Sequence, residues 1–246
     1  MYERGVYTVT GPIGAGDVTE AQLRALVQSL KNAPGLLFWA VGNEWNYNQL
    51  YRGGHGTAIM QSSEDLLFDW CTIIKEEDPS RPVVSVFGAP HFYYDQPAGN
   101  SPVLTGAHWR PTKLETCVDG WGFNIYNAAV DRATGEYDGT STFGMEGGQD
   151  GLTGQPGGFH DYPANVFRFV GEYGMDAFNR AQNVEDTADQ ADATRNMLRA
   201  LYHTRDYSGG FLFEWQDEWW KDQTGSLTVH DKDGWSPGDI TCALAP

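Results

Sequence analysis

Cysteine and positive charge are scarce in this sequence, and long apolar runs are absent. The three cysteines, Cys71, Cys117 and Cys242, lie far apart with no Cys-x-x-Cys pair. That excludes a zinc ribbon and a dense disulfide framework, and leaves the redox state of all three open. Lys and Arg total 16 against 33 Asp and Glu, a formal net charge of -17. An acidic balance of that size argues against nucleic acid or an anionic membrane surface as partner. No window reaches the roughly 20 apolar residues of a membrane helix, and no basic stretch followed by an apolar run opens the chain. As written, the sequence predicts neither an anchor nor a signal peptide, and it holds no Asn-x-Ser/Thr sequon.

Further absences narrow the chemistry. There is no Gly-x-Ser-x-Gly elbow, which argues against a serine hydrolase of the α/β-hydrolase type. The six histidines show no His-Glu-x-x-His and no pair four residues apart, so no metal site is expected. Gly11–Gly16 is glycine-rich, but no Lys-Ser/Thr follows and Pro12 removes a backbone donor. It reads as a strand-end loop rather than a phosphate cradle, and no cofactor is expected.

What is present is a globular composition of 246 residues, 40% hydrophobic, with 13% aromatic residues and 9 Trp. Aromatics in that number fill a core or offer faces on which sugar rings stack. Apolar runs of strand length alternate with amphipathic helical patterns. Val6–Thr10, Leu36–Val41, Arg81–Phe87, Val118–Tyr126, Val166–Val170 and Gly210–Trp215 read as strands. Helices are expected after Asp17, whose spacing to Glu20 resembles a capping box, from about Ser62 to Glu77, weakly near Lys113–Cys117, and from about Val184 to Tyr207. No antiparallel hairpin is evident and no linker divides the chain, so a single α/β domain over residues 1–246 with a parallel sheet is predicted. Periodicity leaves a doubly wound sheet and a TIM barrel both open. Residues from about Asn127 to Asp161 form a long Gly-, Asp- and Thr-rich loop, of the kind that walls a site.

Three strands deliver polar groups as they end: Val41-Gly-Asn43-Glu44-Trp45, Val170-Gly-Glu172-Tyr173 and Phe213-Glu214-Trp215. In a parallel α/β barrel the C-terminal strand ends form the active-site face. Two carboxylates there, one neutral and one ionised, are what hydrolysis of a glycosidic bond requires. A structural ion pair is the competing role for each.

These segments carry a resemblance. Phe38–Trp45 resembles the fourth-strand Asn-Glu motif of the clan A retaining glycoside hydrolases, and Val170–Gly174 resembles their seventh-strand nucleophile motif. Gly122-Phe-Asn124-Ile-Tyr126 and Gly210–Trp220 are similar to their strands six and eight, so the likeness spans about Val6 to Lys221. The family 2, family 5 and family 72 barrels are nearest. The resemblance implies a (β/α)8 barrel that cleaves or transfers β-linked, glucan-like oligo- or polysaccharide with retention. It implies Glu44 as general acid/base, Glu172 as nucleophile about 5–5.5 Å from it, and Asn43 as donor to the sugar 2-hydroxyl. Tyr126 would orient Glu172, Trp215 would floor the sugar, and Asn124 belongs to the same substrate-binding set.

Trp45, with the aromatic loop it opens, is either a further sugar platform or packing, and so are Trp219 and Trp220. His91 and His108, after the Arg81–Phe87 strand, could touch a sugar, although a loop or core role is commoner. The departure from the family is at the N-terminus. If Val6–Thr10 is strand three, the first two strand-helix units are missing, so either an upstream or partner segment completes the barrel or the remaining strands form an open or rearranged sheet. The isolated chain is then expected to be weakly active at best. The resemblance favours an extracellular or cell-surface location. The alternative function is a non-catalytic carbohydrate-binding or structural domain on the same scaffold.

Overall fold

The computed structural model describes residues 2–5, 7–12, 18–45, 57–87, 111–124, 166–174, 177–179, 184–203 and 207–213. Its elements are strands β1 (Thr8–Thr10), β2 (Leu36–Asn43), β3 (Val83–Phe87), β4 (Gly120–Asn124), β5 (Phe167–Tyr173), β6 (Phe178–Asn179), β7 (Val184–Glu185) and β8 (Gly210–Leu212). The helices are α1 (Glu20–Leu30), α2 (Thr57–Glu77) and α3 (Thr187–His203). Six strands join one sheet in the order β1-β2-β3-β4-β5-β8, with parallel pairing at β1–β2, β2–β3, β3–β4 and β5–β8. The order never reverses. A doubly wound sheet reverses at its switch point, whereas a chain that advances one strand at a time is wound like a (β/α) barrel wall. The architecture is therefore consistent with an incomplete α/β barrel.

The chain forms two compact units, Met1–Asn124 with Gly154–Phe169, and Ile125–Thr153 with Val170–Pro246. In the first, the two faces of the sheet bury different residues, because side chains alternate along a strand. On one face Phe38, Ala40, Val84, Val86 and Phe169 form a buried cluster, flanked by Val9 and Phe167. Gly120 and Gly122 make room for it: a Cβ at either would sit 2.6 Å from the Phe167 or Phe169 ring. Trp39, Val83, Ser85, Phe87, Trp121 and Phe123 are also buried, and Phe87 stacks on Trp121 with centroids 4.7 Å apart. Leu23 and Val27 of α1, and Leu67, Trp70 and Ile74 of α2, bury the apolar stripes of those helices.

Polar groups tie the sheet's entry end to the helices. Asp78, just past α2, accepts the Trp39 indole N–H at 2.9 Å, the Arg81 guanidinium at 2.9 Å and the Ser80 hydroxyl at 2.5 Å. Burial opposes its ionisation, but these hydrogen bonds outweigh burial and hold the carboxyl below the usual range. Arg81 also donates to the Leu36, Lys31 and Ala33 carbonyls. Cys71 on α2 is disulfide-bonded to Cys117, with Cα atoms 6.3 Å apart. The same two segments are joined by the buried Glu64, which accepts the backbone N–H groups of Lys113 and Leu114 at 2.7 and 2.9 Å.

Several sequence expectations shift. The α1 cap is Thr19 with Gln22 in a reciprocal box, not Asp17 with Glu20, since Thr19 has the extended backbone that an N-cap needs. The weak helix near Lys113 is one 3-10 turn, Leu114–Thr116. In the second unit, Val184 and Glu185 do not start α3 but pair antiparallel with Phe178–Asn179, a short hairpin where the sequence predicts none. Asp186 caps α3 instead, accepting the Asp189 N–H at 3.0 Å. The Asn127–Asp161 loop lies outside the described residues.

Candidate functional site

At the end of β2 the backbone departs from regular pairing. Ala40 pairs with Val84 and Asn43 with Val86, so three steps along β2 oppose two along β3. This extra residue is a bulge, which turns the following side chains away from regular alternation. Gly42 lies in it with φ of 73°. Its Cβ position is occupied by the Trp45 ring at 2.7 Å and Leu67 at 2.9 Å, so glycine is required for both conformation and space. Two backbone bonds fix the turn: Gly42 N–H donates to the Pro12 carbonyl at 3.1 Å and Glu44 N–H to the Val86 carbonyl at 3.0 Å.

Glu44 has φ of 52°, the one left-handed non-glycine residue among those described. That conformation costs about 1–2 kcal/mol for a residue with a Cβ. Such strain persists only where surrounding contacts impose it, and it concentrates at functional positions. Here the Asn124 amide Nδ2 donates to Glu44 Oε1 at 2.9 Å and to Asn43 Oδ1 at 3.3 Å. Asn124 ends β4 and is buried, while Asn43 and Glu44 are half-buried. A carboxylate and two amides thus meet where strands β2 and β4 end.

Trp45 is 1% exposed, packs on Phe87 at 5.1 Å and donates its indole N–H to Ser85 Oγ at 3.0 Å. Of its two readings, packing is the one that its burial matches, because the ring faces needed for a sugar platform are covered. The Ser85 hydroxyl in turn donates to the Val41 carbonyl at 2.7 Å, inside the bulge. Sequence reasoning missed Ser85. The available signal was one hydroxyl within the otherwise apolar Val83-Val-Ser85-Val-Phe87.

In the second unit, Glu172 lies on β5 in a similar irregularity. Val170 pairs with Gly210 and Tyr173 with Leu212, so an extra residue again falls where Gly171 and Glu172 stand. Glu172 is half-buried. The neighbouring Tyr173 is 5% exposed and burial raises its phenol pKa. Gly174 allows a close approach by the Phe213 carbonyl, which lies 1.9 Å from where a Cβ would be. His91, His108, Tyr126 and Trp215 lie outside the described residues, as do Trp219 and Trp220.

No family model matches the sequence, and no curated protein does. Solved structures are similar in fold. A structure of Bacteroides uniformis β-glucuronidase 2, covalently bound to cyclophellitol-6-carboxylate aziridine, is 18% identical, with 80% of this chain and 21% of that one covered at a TM-score of 0.51. A Bacteroides uniformis β-glucuronidase structure is 16% identical over 85% of this chain and 23% of its own, also at 0.51. The chain spans between a fifth and a quarter of those proteins. It shares the fold of a segment of these glycosidases.

Proposed function

We propose that the chain carries the acid/base and nucleophile of a retaining glycoside hydrolase or transglycosylase acting on β-linked oligo- or polysaccharide. Glu44 is the general acid/base, Glu172 the nucleophile, and Asn43 the donor to a sugar hydroxyl. In the first step the Glu172 carboxylate attacks the anomeric carbon, the glycosidic C–O bond breaks, and Glu44 gives its proton to the departing oxygen. In the second, water loses a proton to Glu44 and attacks the same carbon, or a sugar hydroxyl does so in transfer. Glu172 leaves as the carboxylate.

The observation that supports this most is the recurrence of one device. Both carboxylates follow a Val-Gly or Val-Gly-Asn step at the C-terminal end of a parallel strand, Glu44 just after an extra residue and Glu172 within the stretch that holds one. A structural ion pair needs neither the bulge nor the left-handed backbone at Glu44. The fold shared with β-glucuronidases makes β-glucuronides the first substrates to try, beside β-glucosides and β-1,3-glucans.

The test uses aryl β-glycosides. Glu172→Ala should abolish turnover of an activated aryl glycoside, and azide should restore it with inverted stereochemistry, because the anion fills the space vacated by the carboxylate. Glu44→Ala should slow poor leaving groups by about 100-fold or more while sparing activated ones. If Glu172→Ala keeps wild-type rates, the nucleophile assignment is wrong.

A further inference from the structure

We propose that Asn124 is a positioning residue that fixes which oxygen of Glu44 bears the transferred proton; the inference rests on the acid/base role proposed for Glu44. Asn124 is 3% exposed, and its Nδ2 donates to both Glu44 Oε1 and Asn43 Oδ1. Its own Oδ1 is buried and has no hydrogen-bond partner among the described residues. A buried carbonyl oxygen left without a donor is unfavourable. What the oxygen receives therefore does not set the amide's orientation. The two acceptors on its nitrogen side do, because the flipped amide would press Oδ1 against a carboxylate oxygen.

This has a chemical consequence at Glu44. In a neutral carboxyl the carbonyl oxygen is the better acceptor, so an N–H held at Oε1 selects the form whose hydroxyl is on Oε2. When that Oε2–H bond breaks, the proton passes to the glycosidic oxygen, which also takes the electron pair of the breaking C–O bond. The N–H at Oε1 then stabilises the carboxylate left behind. The same amide orients Asn43. With Asn43 Oδ1 accepting from Asn124, its NH2 is the end offered to other partners, as a donor to a sugar hydroxyl must be.

Two variants separate positioning from packing. Asn124→Ala removes an amide whose oxygen has no donor among the described residues, so folding should be retained, and Asn124→Asp keeps the shape while removing the donor. On aryl β-glycosides graded in leaving-group acidity, both should lose about 10–100-fold in kcat/KM for the poorest leaving groups and little for the most activated, since only the former need the proton. An equal loss across the series is the signature of a structural role and overturns the proposal. A second measurement needs no turnover. In 15N-labelled chain the Asn124 side-chain NH2 signals should move with pH as Glu44 titrates, and that response should vanish in Glu44→Gln. Signals that do not respond, or that respond identically in Glu44→Gln, overturn the proposal whether or not the chain is active. A chain inactive on every glycoside but with this coupling intact supports the Asn124–Glu44 pairing and counts against the glycosidase reading instead.

Discussion

Glu44 holds two opposed demands in one residue. Its backbone sits at φ of 52°, which a Cβ disfavours, while its side chain is fixed by the Asn124 amide. Glu44→Gly and Glu44→Ala both remove the carboxylate, but only glycine relieves the backbone. Glu44→Gly should therefore be more stable than Glu44→Ala by about 1 kcal/mol in urea denaturation, with neither able to act as acid/base. Equal stabilities would mean that the left-handed conformation is not held in solution. Asp78 gives a residue-scale test of a different kind. Its carboxyl is held below the usual range, so the stability it contributes is present above the unfolded-state value of about 3.9 and is lost as pH falls through the lower folded value. Asp78→Asn should cost about 2 kcal/mol at neutral pH. The difference from wild type should shrink below about pH 3.9, which denaturation at pH 7 and pH 3 checks.

Among the elements, α2 is fastened to the segment before β4 by the Cys71–Cys117 disulfide, by Glu64 on the Lys113 and Leu114 N–H groups, and by the Asp65–Lys113 and Lys75–Asp119 ion pairs. The bridged cysteines are 46 residues apart, and in the chain-entropy view a loop of that length stabilises the fold by about 4 kcal/mol. Reduction, or Cys71→Ser, should lower the unfolding free energy by a comparable amount, and Tm measured with and without reductant reads it out. An unchanged Tm would show that the bridge does not form. This bridge was not legible in the sequence, because three cysteines allow three pairings and spacing does not choose among them. Strand and helix identity was legible where the apolar pattern is strong, as in the continuous run Leu36–Val41 and the periodic helix ending at Glu77. The β6–β7 hairpin was not, since two-residue strands carry no period to read. The capping residue of α1 was misplaced by two positions because Asp17 and Thr19 both suit a cap, and only backbone geometry separates them.

For the whole molecule, strand order decides between the two architectures that periodicity left open. A run of apolar residues shows that a strand is buried but not which strand lies beside it, so the unreversed order β1-β2-β3-β4-β5-β8 had to come from pairing. The carboxylates were legible because each follows a Val-Gly or Val-Gly-Asn step at a strand end. Their bulges and the Asn124 bridge were not, because they depend on register and on contacts across 80 residues of chain. The proposed chemistry depends most on Glu172 as nucleophile. Its most direct test is covalent trapping with cyclitol aziridines of the glucuronic, gluco and galacto types. Peptide mapping by mass spectrometry should find one adduct, on Glu172, that is absent from Glu172→Gln. An adduct on Glu44 or elsewhere, or none with any of the three reagents, would contradict it.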